Sequence, residues 1–223
     1  MRLVAVVPVR AGSKGMAGKN VARLQGVPLW QRAAEQGLAA GADEVLVSTD
    51  IADILEGDLP QGVRAVPRPD NLAGDDVPMA PVLTHLLSGA LSGAARIVLL
   101  QATSPMRHLD DIRAAVALHK AGGYDLVKTV TRADSGVLKY GMMDGDRFVP
   151  VSDPAYCFTN RQALPPVLKP NGAVYVFDRD WYLANGSLAT DKIGAIVMPE
   201  DRSFDIDTAA DFARAEAILA QGS

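Results

Sequence analysis

The sequence predicts an α/β protein in which a mostly parallel central sheet is flanked by helices. Short apolar runs alternate along the chain with longer stretches of helical character, which is the pattern of parallel βαβ units. The first apolar run, Leu3–Val9, ends abruptly at Arg10 and is followed by a glycine-rich loop. Polar residues also follow later runs, and the carboxyl ends of parallel strands would bring such residues to one edge of the sheet.

Seven apolar runs are predicted to form strands. Each is short and bounded by glycine, proline or polar residues, as expected for buried strands. The predicted strands are Leu3–Val9, Glu44–Ser48, Val63–Val66, Arg96–Leu100, Tyr124–Val130, Gly172–Phe177 and Ile193–Val197.

Four stretches between and after these runs are predicted to be helices. Pro28 suits the start of the first of them, and Ile112, Ala115 and Val116 recur with a helical period in the third. The predicted helices are Leu29–Ala40, Val82–Leu91, Leu109–Lys120 and Thr208–Ala220.

The alternation breaks between Thr131 and Pro170, which holds scattered glycines and prolines and no long periodic run. An irregular insertion of this length in a compact domain usually has a function. We therefore predict a single domain over residues 1–223 with an inserted arm at about 131–170.

Composition excludes several classes of protein. With 223 residues, 48% hydrophobic and 22% charged, the chain has the composition of a globular domain. A net charge of −4 argues against nucleic acid or an anionic membrane as a partner. A single cysteine, Cys157, excludes an internal disulfide or a cysteine metal cluster. The amino-terminal apolar run is too short for a secretion leader, and no stretch approaches membrane-spanning length, so we predict a cytoplasmic protein.

The loop after the first strand predicts a phosphate ligand. It carries the cations Arg10, Lys14 and Lys19 together with Ser13 and Asn20, among three glycines. Backbone N–H groups can approach phosphate oxygens closely where glycine has no Cβ, and the cations offset the negative charge. The alternative is a surface turn whose cations are merely solvated.

Two common phosphate-binding loops do not match this segment. The P-loop pattern requires Ser or Thr after its Gly-Lys pair, but Asn20 follows Gly18-Lys19. The dinucleotide pattern G-x-G-x-x-G fails because Gly12, Gly15 and Gly18 are three apart. The loop is therefore predicted to belong to neither an ATPase nor a nicotinamide enzyme.

Near the carboxyl end, Asp205 and Asp207 are two residues apart, so both carboxylates would point to one face of an extended segment. Two carboxylates aimed together repel each other unless a cation lies between them, and Mg²⁺ bridging to phosphate oxygens would suit. The alternative is that Asp207 or Thr208 caps the last helix; both roles could coexist.

Six segments together resemble the N-acylneuraminate cytidylyltransferases, also called CMP-sialic acid synthetases. They occur in the order found in that family and span nearly the whole chain. The segments are VPVRAGSKGMAGKN (Val7–Asn20), RPDNLAGDD (Arg68–Asp76), LLQATSPMR (Leu99–Arg107), NRQALP (Asn160–Pro165), PNGAVYVF (Pro170–Phe177) and SFDIDTAADF (Ser203–Phe212).

The resemblance implies a Rossmann-like fold of the nucleotidyltransferase type and a role for individual residues. On the nucleotide side, Arg10, Ser13, Lys14 and Lys19 match the triphosphate loop, Asn20 and Arg68 match positions that contact the cytosine, and Asp205 and Asp207 match the Mg²⁺ ligands. On the sugar side the matching residues are Gln101, Thr103, Ser104, Lys139, Arg161, Gln162 and Tyr175.

The resemblance also implies a homodimer. The irregular stretch Thr131–Pro170 corresponds to the arm through which family members dimerise, and Lys139 matches a basic residue that reaches across to the sugar carboxylate of the partner. The chain departs from the usual family residues at four positions, Ala11, Ala17, Ala102 and Lys169. Lysine gives a point charge where the family has the two-pronged guanidinium of arginine, so binding of a carboxylate or phosphate there would be looser.

The implied reaction is attack of the anomeric 2-hydroxyl of a sialic acid on the α-phosphorus of CTP, giving the CMP-sugar and pyrophosphate. Arg10, Lys19, Gln101 and Asp207 are the predicted catalytic residues. One alternative is a cytidylyltransferase for another acid sugar, such as legionaminic, pseudaminic or deaminated neuraminic acid. Another is a nucleotide-binding protein without catalytic activity.

Overall fold

A computed structural model describes residues 1–12 and 15–221. In chain order the strands are β1 (Arg2–Pro8), β2 (Arg23–Leu24), β3 (Val27–Pro28), β4 (Glu44–Thr49), β5 (Val63–Pro67), β6 (Ala95–Leu100), β7 (Leu126–Ala133), β8 (Gly141–Asp144), β9 (Arg147–Pro150), β10 (Val167–Asp178) and β11 (Ile193–Val197). The α-helices are α1 (Leu29–Ala39), α2 (Ala52–Leu55), α3 (Met79–Gly89), α4 (Leu109–Ala121), α5 (Arg179–Asn185) and α6 (Ala209–Gln221).

Seven strands form the central sheet, in the order β11-β7-β10-β6-β1-β4-β5. Every neighbouring pair is parallel except the two that involve β10. The seven predicted strands and four predicted helices are all present, with ends shifted by a few residues. The predicted α/β fold with a mostly parallel sheet is confirmed.

The core lies on both faces of the sheet, as expected when helices cover both sides. In β1 the side chains of Ala5 and Val7 pack on the side of α1, α4 and α6, while Val4 and Val6 pack on the side of α3 and α5. All four are fully buried. This burial explains why the first run is uniformly apolar and stops where the chain leaves the sheet.

Strand β10 runs antiparallel to its neighbours, which the alternation of strands and helices does not predict. It pairs with β7 directly after the inserted arm, so the arm is the long connection of a hairpin. The pairing shifts register between Pro170 and Tyr175. Asn171 stabilises this bulge: its Oδ1 accepts hydrogen bonds from Thr129 Oγ1 at 2.6 Å and from the Ala173 amide at 3.2 Å.

The irregular stretch 131–170 is shorter in the structure than predicted, because its ends are strands: β7 continues to Ala133 and β10 begins at Val167. Between them lie the β8–β9 hairpin and 3₁₀ helices at Ser135–Lys139, Pro154–Phe158 and Arg161–Ala163. We call residues 134–166 the arm. It exposes large apolar side chains, namely Val137, Tyr140, Met142, Met143, Phe148, Val151 and Phe158.

Several short elements are absent from the prediction. Helices α2 and α5 span only 4 and 7 residues, and the β2–β3 hairpin is built from two-residue strands. None of the described helices has both the length and the apolar character required to cross a membrane.

Candidate active site

The carboxyl ends of β1 and β6 lie side by side in the sheet and carry most of the predicted site. Arg10 follows β1, and the turn Gln101–Ser104 follows β6. The acidic segment 203–207 joins them because the amide of Ile206 donates to the carbonyl oxygen of Thr103 at 2.8 Å. This edge of the sheet is where open α/β proteins bind their ligands.

The glycine-rich loop folds back onto the acidic segment. A Cβ at Gly15 would overlap the backbone carbonyl oxygen of Asp207, so only glycine allows this approach. Gly18 has a left-handed backbone with φ of 66°, and Asn20 is buried with its amide donating to the carbonyl oxygen of Arg10 at 3.0 Å. Ser13 and Lys14, two of the predicted phosphate ligands, lie outside the described residues.

The glycine-rich loop and the acidic pair, Asp205 and Asp207, border one cavity of about 220 Å³, which we call the small cavity. Within it, Lys19 Nζ lies 2.8 Å from Asp207 Oδ1, and Arg10 forms an ion pair with Asp75. The lining residues are Pro8, Arg10, Lys19, Asn20, Arg68, Met79, Gln101, Ala102, Thr103, Asp205 and Asp207.

Arg68 is the third cation of the small cavity and is held rigidly. It follows β5, and its guanidinium donates to the Ser48 carbonyl oxygen at 2.8 Å and to the Ser48 hydroxyl at 3.3 Å. Burial lowers the pKa of Arg68; the charge of Asp50 opposes the shift and that of Arg10 adds to it. Three cations that partly repel one another around one cavity indicate an anionic ligand.

Asp205 has the carboxylate most perturbed by its surroundings at this edge. Burial raises the pKa of Asp205, and the charge of Asp207 raises it further, while hydrogen bonds from Thr103 and Ser104 and the charge of Lys19 act in the opposite direction. The pKa of Tyr175 is raised by burial and then by the charge of Asp205, so this phenol also lies near the acidic pair.

This donor set fits a divalent cation shared with a ligand. Mg²⁺ takes one or two protein carboxylates and completes its coordination with phosphate oxygens and water. Asp205 and Asp207 would supply the carboxylates, and a phosphate group bound by the cations of the small cavity would supply the other oxygens. Among residues 1–12 and 15–221, no cluster of three or more His, Cys, Asp and Glu side chains could hold a metal alone. A cation here would depend on the ligand.

The alternative role of helix capping belongs to Thr208, not to Asp207. Thr208 precedes α6, and its hydroxyl accepts from the Asp211 amide at 3.2 Å, while Asp211 Oδ2 accepts from the Thr208 amide at 2.8 Å. This reciprocal pair is a capping box. The carboxylate of Asp207 takes no part in this cap and instead faces Lys19 at the small cavity.

A larger cavity of about 560 Å³ lies beside the same acidic pair and also borders the β10 bulge. We call it the large cavity. Thr131 is buried in its wall and its hydroxyl has no hydrogen-bond partner among the described residues. The cationic residues lining it are Arg132, Lys169 and Arg214, and the acidic ones are Glu200, Asp205, Asp207 and Asp211.

The predicted sugar-binding residues fall into two groups. Gln101, Thr103, Ser104 and Tyr175 lie near the acidic pair; Ser104 Oγ is 3.4 Å from Asp205 Oδ1.

Lys139, Arg161 and Gln162 lie on the arm instead. Lys139 and Arg161 line a separate cavity of about 350 Å³, and Arg161 Nη2 pairs with Asp134 Oδ2 at 2.5 Å. Gln162 is exposed.

Sequence reasoning assigned no role to three residues that the structure connects to this edge. Asp75 pairs with Arg10, Asp50 accepts from the Ala11 amide at 2.9 Å, and Arg107 is buried below the β6 turn. Asp75 and Arg107 lie inside the matched segments RPDNLAGDD and LLQATSPMR, but a segment match does not reveal which partner a charge has.

Sheet topology, the cationic glycine-rich loop and the acidic pair at the same edge define an α/β protein of the nucleotidyltransferase type. The sequence model of the cytidylyltransferase family matches residues 4–182, and the chain belongs to that family.

Two relatives and one solved structure illustrate the similarity. The chain is 29% identical to the N-acylneuraminate cytidylyltransferase of Streptococcus agalactiae over 95% of its own length and 52% of the relative's. It is 29% identical to the CMP-N,N'-diacetyllegionaminic acid synthase of Legionella pneumophila over 98% of its length and 97% of the relative's. A CMP:2-keto-3-deoxy-manno-octonic acid synthetase complexed with CTP superposes with a TM-score of 0.75 at 18% identity, covering 100% of both chains.

The chain thus spans about half the length of the N-acylneuraminate cytidylyltransferases it matches, but nearly the whole of the legionaminic acid synthase. The solved structure supports the fold.

Proposed function

We propose that this protein transfers CMP from CTP to the anomeric 2-hydroxyl of an N-acylneuraminate, releasing pyrophosphate. The new bond joins the sugar oxygen to the α-phosphorus, the bond from that phosphorus to the oxygen bridging to the β-phosphorus breaks, and the hydroxyl proton is lost to solvent. One observation carries the proposal: Arg10, Lys19, Arg68 and the pair Asp205 and Asp207 line one cavity.

The cations would bind the triphosphate by exchanging partners. Arg10 is paired with Asp75 and Lys19 with Asp207, so each already points at a carboxylate oxygen that a phosphate oxygen could replace. Arginine and lysine bind phosphate with charge-assisted hydrogen bonds, which strengthen as charge builds up on the leaving pyrophosphate. Phosphoryl transfer depends mainly on this stabilisation and on aligning the nucleophile.

Asp205 and Asp207 would hold Mg²⁺. The ion, when bound, would neutralise phosphate charge and help orient the α-phosphate. Asn20 and Arg68 would contact the cytosine. Ser13 and Lys14 remain predicted phosphate ligands.

The acceptor would approach from the large cavity. This cavity shares the acidic pair with the small one, and Arg132 and Lys169 supply positive charge for an acid sugar. Gln101, Thr103 and Ser104 in the turn after β6, together with Tyr175 on the neighbouring β10, would orient the hydroxyl.

A homodimer would account for the remaining residues. The arm carries Lys139, Arg161 and Gln162, and it exposes 92% of Phe158 and 63% of Tyr140. Large apolar side chains exposed along one segment suit an interaction surface. A second copy covering them could bring Lys139 to the partner's acceptor cavity.

N,N'-diacetyllegionaminic acid is a second candidate acceptor. The relative that makes its CMP derivative is as similar as the N-acylneuraminate enzymes and matches this chain over 97% of its own length. Both acceptors carry the carboxylate and anomeric hydroxyl that the proposed mechanism uses.

The decisive experiment measures pyrophosphate release with purified protein, one nucleoside triphosphate and one acid sugar at a time. The panel contains N-acetylneuraminate, N,N'-diacetyllegionaminate, pseudaminate, deaminated neuraminate and 2-keto-3-deoxy-octonate, each with Mg²⁺ or with EDTA. We expect release with CTP, N-acetylneuraminate and Mg²⁺, and at least 10-fold less with UTP or ATP.

A clear preference for another sugar would change the proposed acceptor but leave the proposed reaction type unchanged. Binding of CTP without release for any sugar would instead identify a non-catalytic nucleotide-binding protein.

A further inference from the structure

Arg107 is among the largest fully buried side chains of the described structure, at 2% exposure, and the proposed reaction assigns it no role. Arg107 is the last residue of the segment LLQATSPMR and lies two residues before the start of α4. A buried guanidinium is costly unless its hydrogen bonds are satisfied.

The guanidinium connects two strands below the candidate site. Arg107 Nη1 donates to the Gln101 carbonyl oxygen at 2.7 Å and to the Ala173 carbonyl oxygen at 3.1 Å. Gln101 directly follows β6, and Ala173 belongs to the β10 bulge. The backbone of Arg107 is held in turn by α1, because Gln36 Nε2 donates to the Arg107 carbonyl oxygen at 2.9 Å.

The same carbonyl closes the turn that carries the acceptor-side residues. The Ser104 amide also donates to the Gln101 carbonyl oxygen, at 3.3 Å. Thr103 in this turn accepts from Ile206, the residue between the two aspartates. The Gln101 side chain lies beside Gly172, where a Cβ would be 3.9 Å from Gln101 Nε2.

Stability alone explains this arginine poorly. Its Nε and Nη2 atoms are buried without a hydrogen-bond partner among the described residues. Burial lowers the pKa of Arg107 to about 9, and the charge of Asp205 opposes the shift. A similarly shaped apolar side chain would avoid these costs. What such a side chain could not provide is the pair of hydrogen bonds to the carbonyl oxygens of Gln101 and Ala173.

We propose that Arg107 is a positioning residue for acceptor binding: by fixing the Gln101 carbonyl against Ala173, it sets the turn that holds Gln101, Thr103 and Ser104 beside Asp205, a carboxylate that borders both cavities. This inference rests on the proposed function for its kinetic consequence. Arg107 touches no substrate itself. The nucleotide-side cations Arg10 and Lys19 come from the loop after β1, which makes no hydrogen bond to Arg107 among the described residues.

The test compares Arg107→Met with Arg96→Met. Arg96 is a matched control: its side chain is 14% exposed, and its Nε donates to His119 at 2.8 Å and lies 3.4 Å from Asp178. It lies at the amino-terminal end of β6, whereas Arg107 lies beyond the carboxyl end of that strand. Both substitutions remove an arginine with internal polar contacts, and only Arg107→Met removes the support of the turn.

We expect Arg107→Met to lower kcat and to raise the acceptor KM, for a combined loss of about 10- to 100-fold in kcat/KM for the sugar, because small misplacement of orienting groups is costly. The KM for CTP should stay within about 2-fold, which a general loss of structure would not give. Arg107→Lys should recover part of the loss, since an ammonium can still donate to the Gln101 carbonyl. Wild-type kinetics in Arg107→Met, or an equal loss in Arg96→Met, would overturn the proposal.

Amide hydrogen exchange provides a second measurement that needs no activity. Faster exchange at residues 101–104 and 171–174 in Arg107→Met, but not in Arg96→Met, supports the inference; unchanged exchange contradicts it. If the unsubstituted chain releases no pyrophosphate with any acid sugar, the proposed function fails while this measurement still decides the role of Arg107. Should Arg107→Met not fold, Arg107→Lys carries both measurements.

Discussion

The two cavities beside the acidic pair differ in how their cations are held. In the small cavity, Arg10 and Lys19 are paired with carboxylates and Arg68 is anchored to Ser48. In the large cavity, Arg132 and Lys169 form no ion pair with any other described residue. One cavity is organised before any ligand binds, and the other presents unpaired charge.

This difference indicates which part of the site one chain can build alone. Most residues of the small cavity lie on β1 or in the loops after β1, β5 and β6, and the acidic pair is joined to the β6 turn through Ile206 and Thr103, so its geometry follows from the fold of one chain. No described residue of the arm lines the large cavity, although three predicted sugar-binding residues, Lys139, Arg161 and Gln162, lie on the arm. Under the proposed function, one chain would supply the nucleotide cavity, and a second copy would supply the arm residues of the acceptor site.

The largest effect is expected from Asp207→Ala, because this residue borders both cavities. Loss of a carboxylate proposed to hold Mg²⁺ against phosphate should lower kcat by about 10²-fold or more, at several kcal/mol of lost transition-state stabilisation. Pyrophosphate release measured across a range of Mg²⁺ concentrations checks this. Asp110→Ala, at a 93% exposed side chain on α4, is the control. Near-normal turnover at saturating Mg²⁺ would refute the metal role.

The second prediction tests the two cavities separately by replacing one lysine in each, Lys19 in the small cavity and Lys169 in the large one. Lys19→Met removes a charge-assisted phosphate contact of about 1.5–3 kcal/mol, so it should raise the KM for CTP about 10-fold or more and leave the acceptor KM nearly unchanged. Lys169→Met should do the reverse, with a smaller effect because Lys169 is exposed. Initial rates with each substrate varied in turn provide both constants. If both variants change the same constant, the division into nucleotide and acceptor sides is wrong.

The third prediction concerns the arm. Phe158→Glu places a charge on a 92% exposed apolar side chain and should convert a dimer into monomers, as measured by sedimentation. Specific activity should fall by about 10-fold, mainly through the acceptor KM, if a partner's Lys139 contributes about 1.4 kcal/mol to binding.

Val197→Glu is the control for this variant, because Val197 is 56% exposed on β11, outside the arm. A monomeric variant with full activity, or a wild-type protein that is monomeric at assay concentration, would contradict the role of a second copy.

Much of the fold could be predicted from the sequence because each main strand is a short apolar run with a sharp polar end. Leu3–Val9 gave β1 within one residue at each end. The reversed direction of β10 could not be predicted, since periodicity carries no information on which neighbour a strand pairs with after a long insertion. Helix α5 was absent from the prediction because 7 residues are too few for a helical period to emerge.

The candidate site, like the fold, has features that the sequence predicts and features that it does not. Residues that follow strands, such as Arg10 and Gln101, could be brought to one edge by the rule for parallel sheets, whereas Arg68 was assigned through the resemblance. Partners could not be predicted: nothing in the pattern indicates that Asp75 faces Arg10 or that Gly15 packs against Asp207. The burial of Arg107 could not be anticipated either, because a charged residue between turn and helix is usually solvated.

The smallest effect is expected from Asp205→Asn, and it concerns stability. The folded-state pKa of Asp205 is raised above its unfolded value by burial and by Asp207, so the folded chain binds this proton more tightly. The ionised carboxylate therefore costs stability above that raised pKa, and the cost disappears as the pH falls toward the unfolded value of 3.8. Asn can still accept from Thr103 and Ser104. Its thermal melting temperature should exceed that of the wild type at neutral pH in the absence of Mg²⁺, with the gap narrowing toward acid pH. A variant less stable than the wild type at neutral pH would show that Asp205 already gains more from its hydrogen bonds and from Lys19 than burial costs, and the acidic pair would then need no added cation.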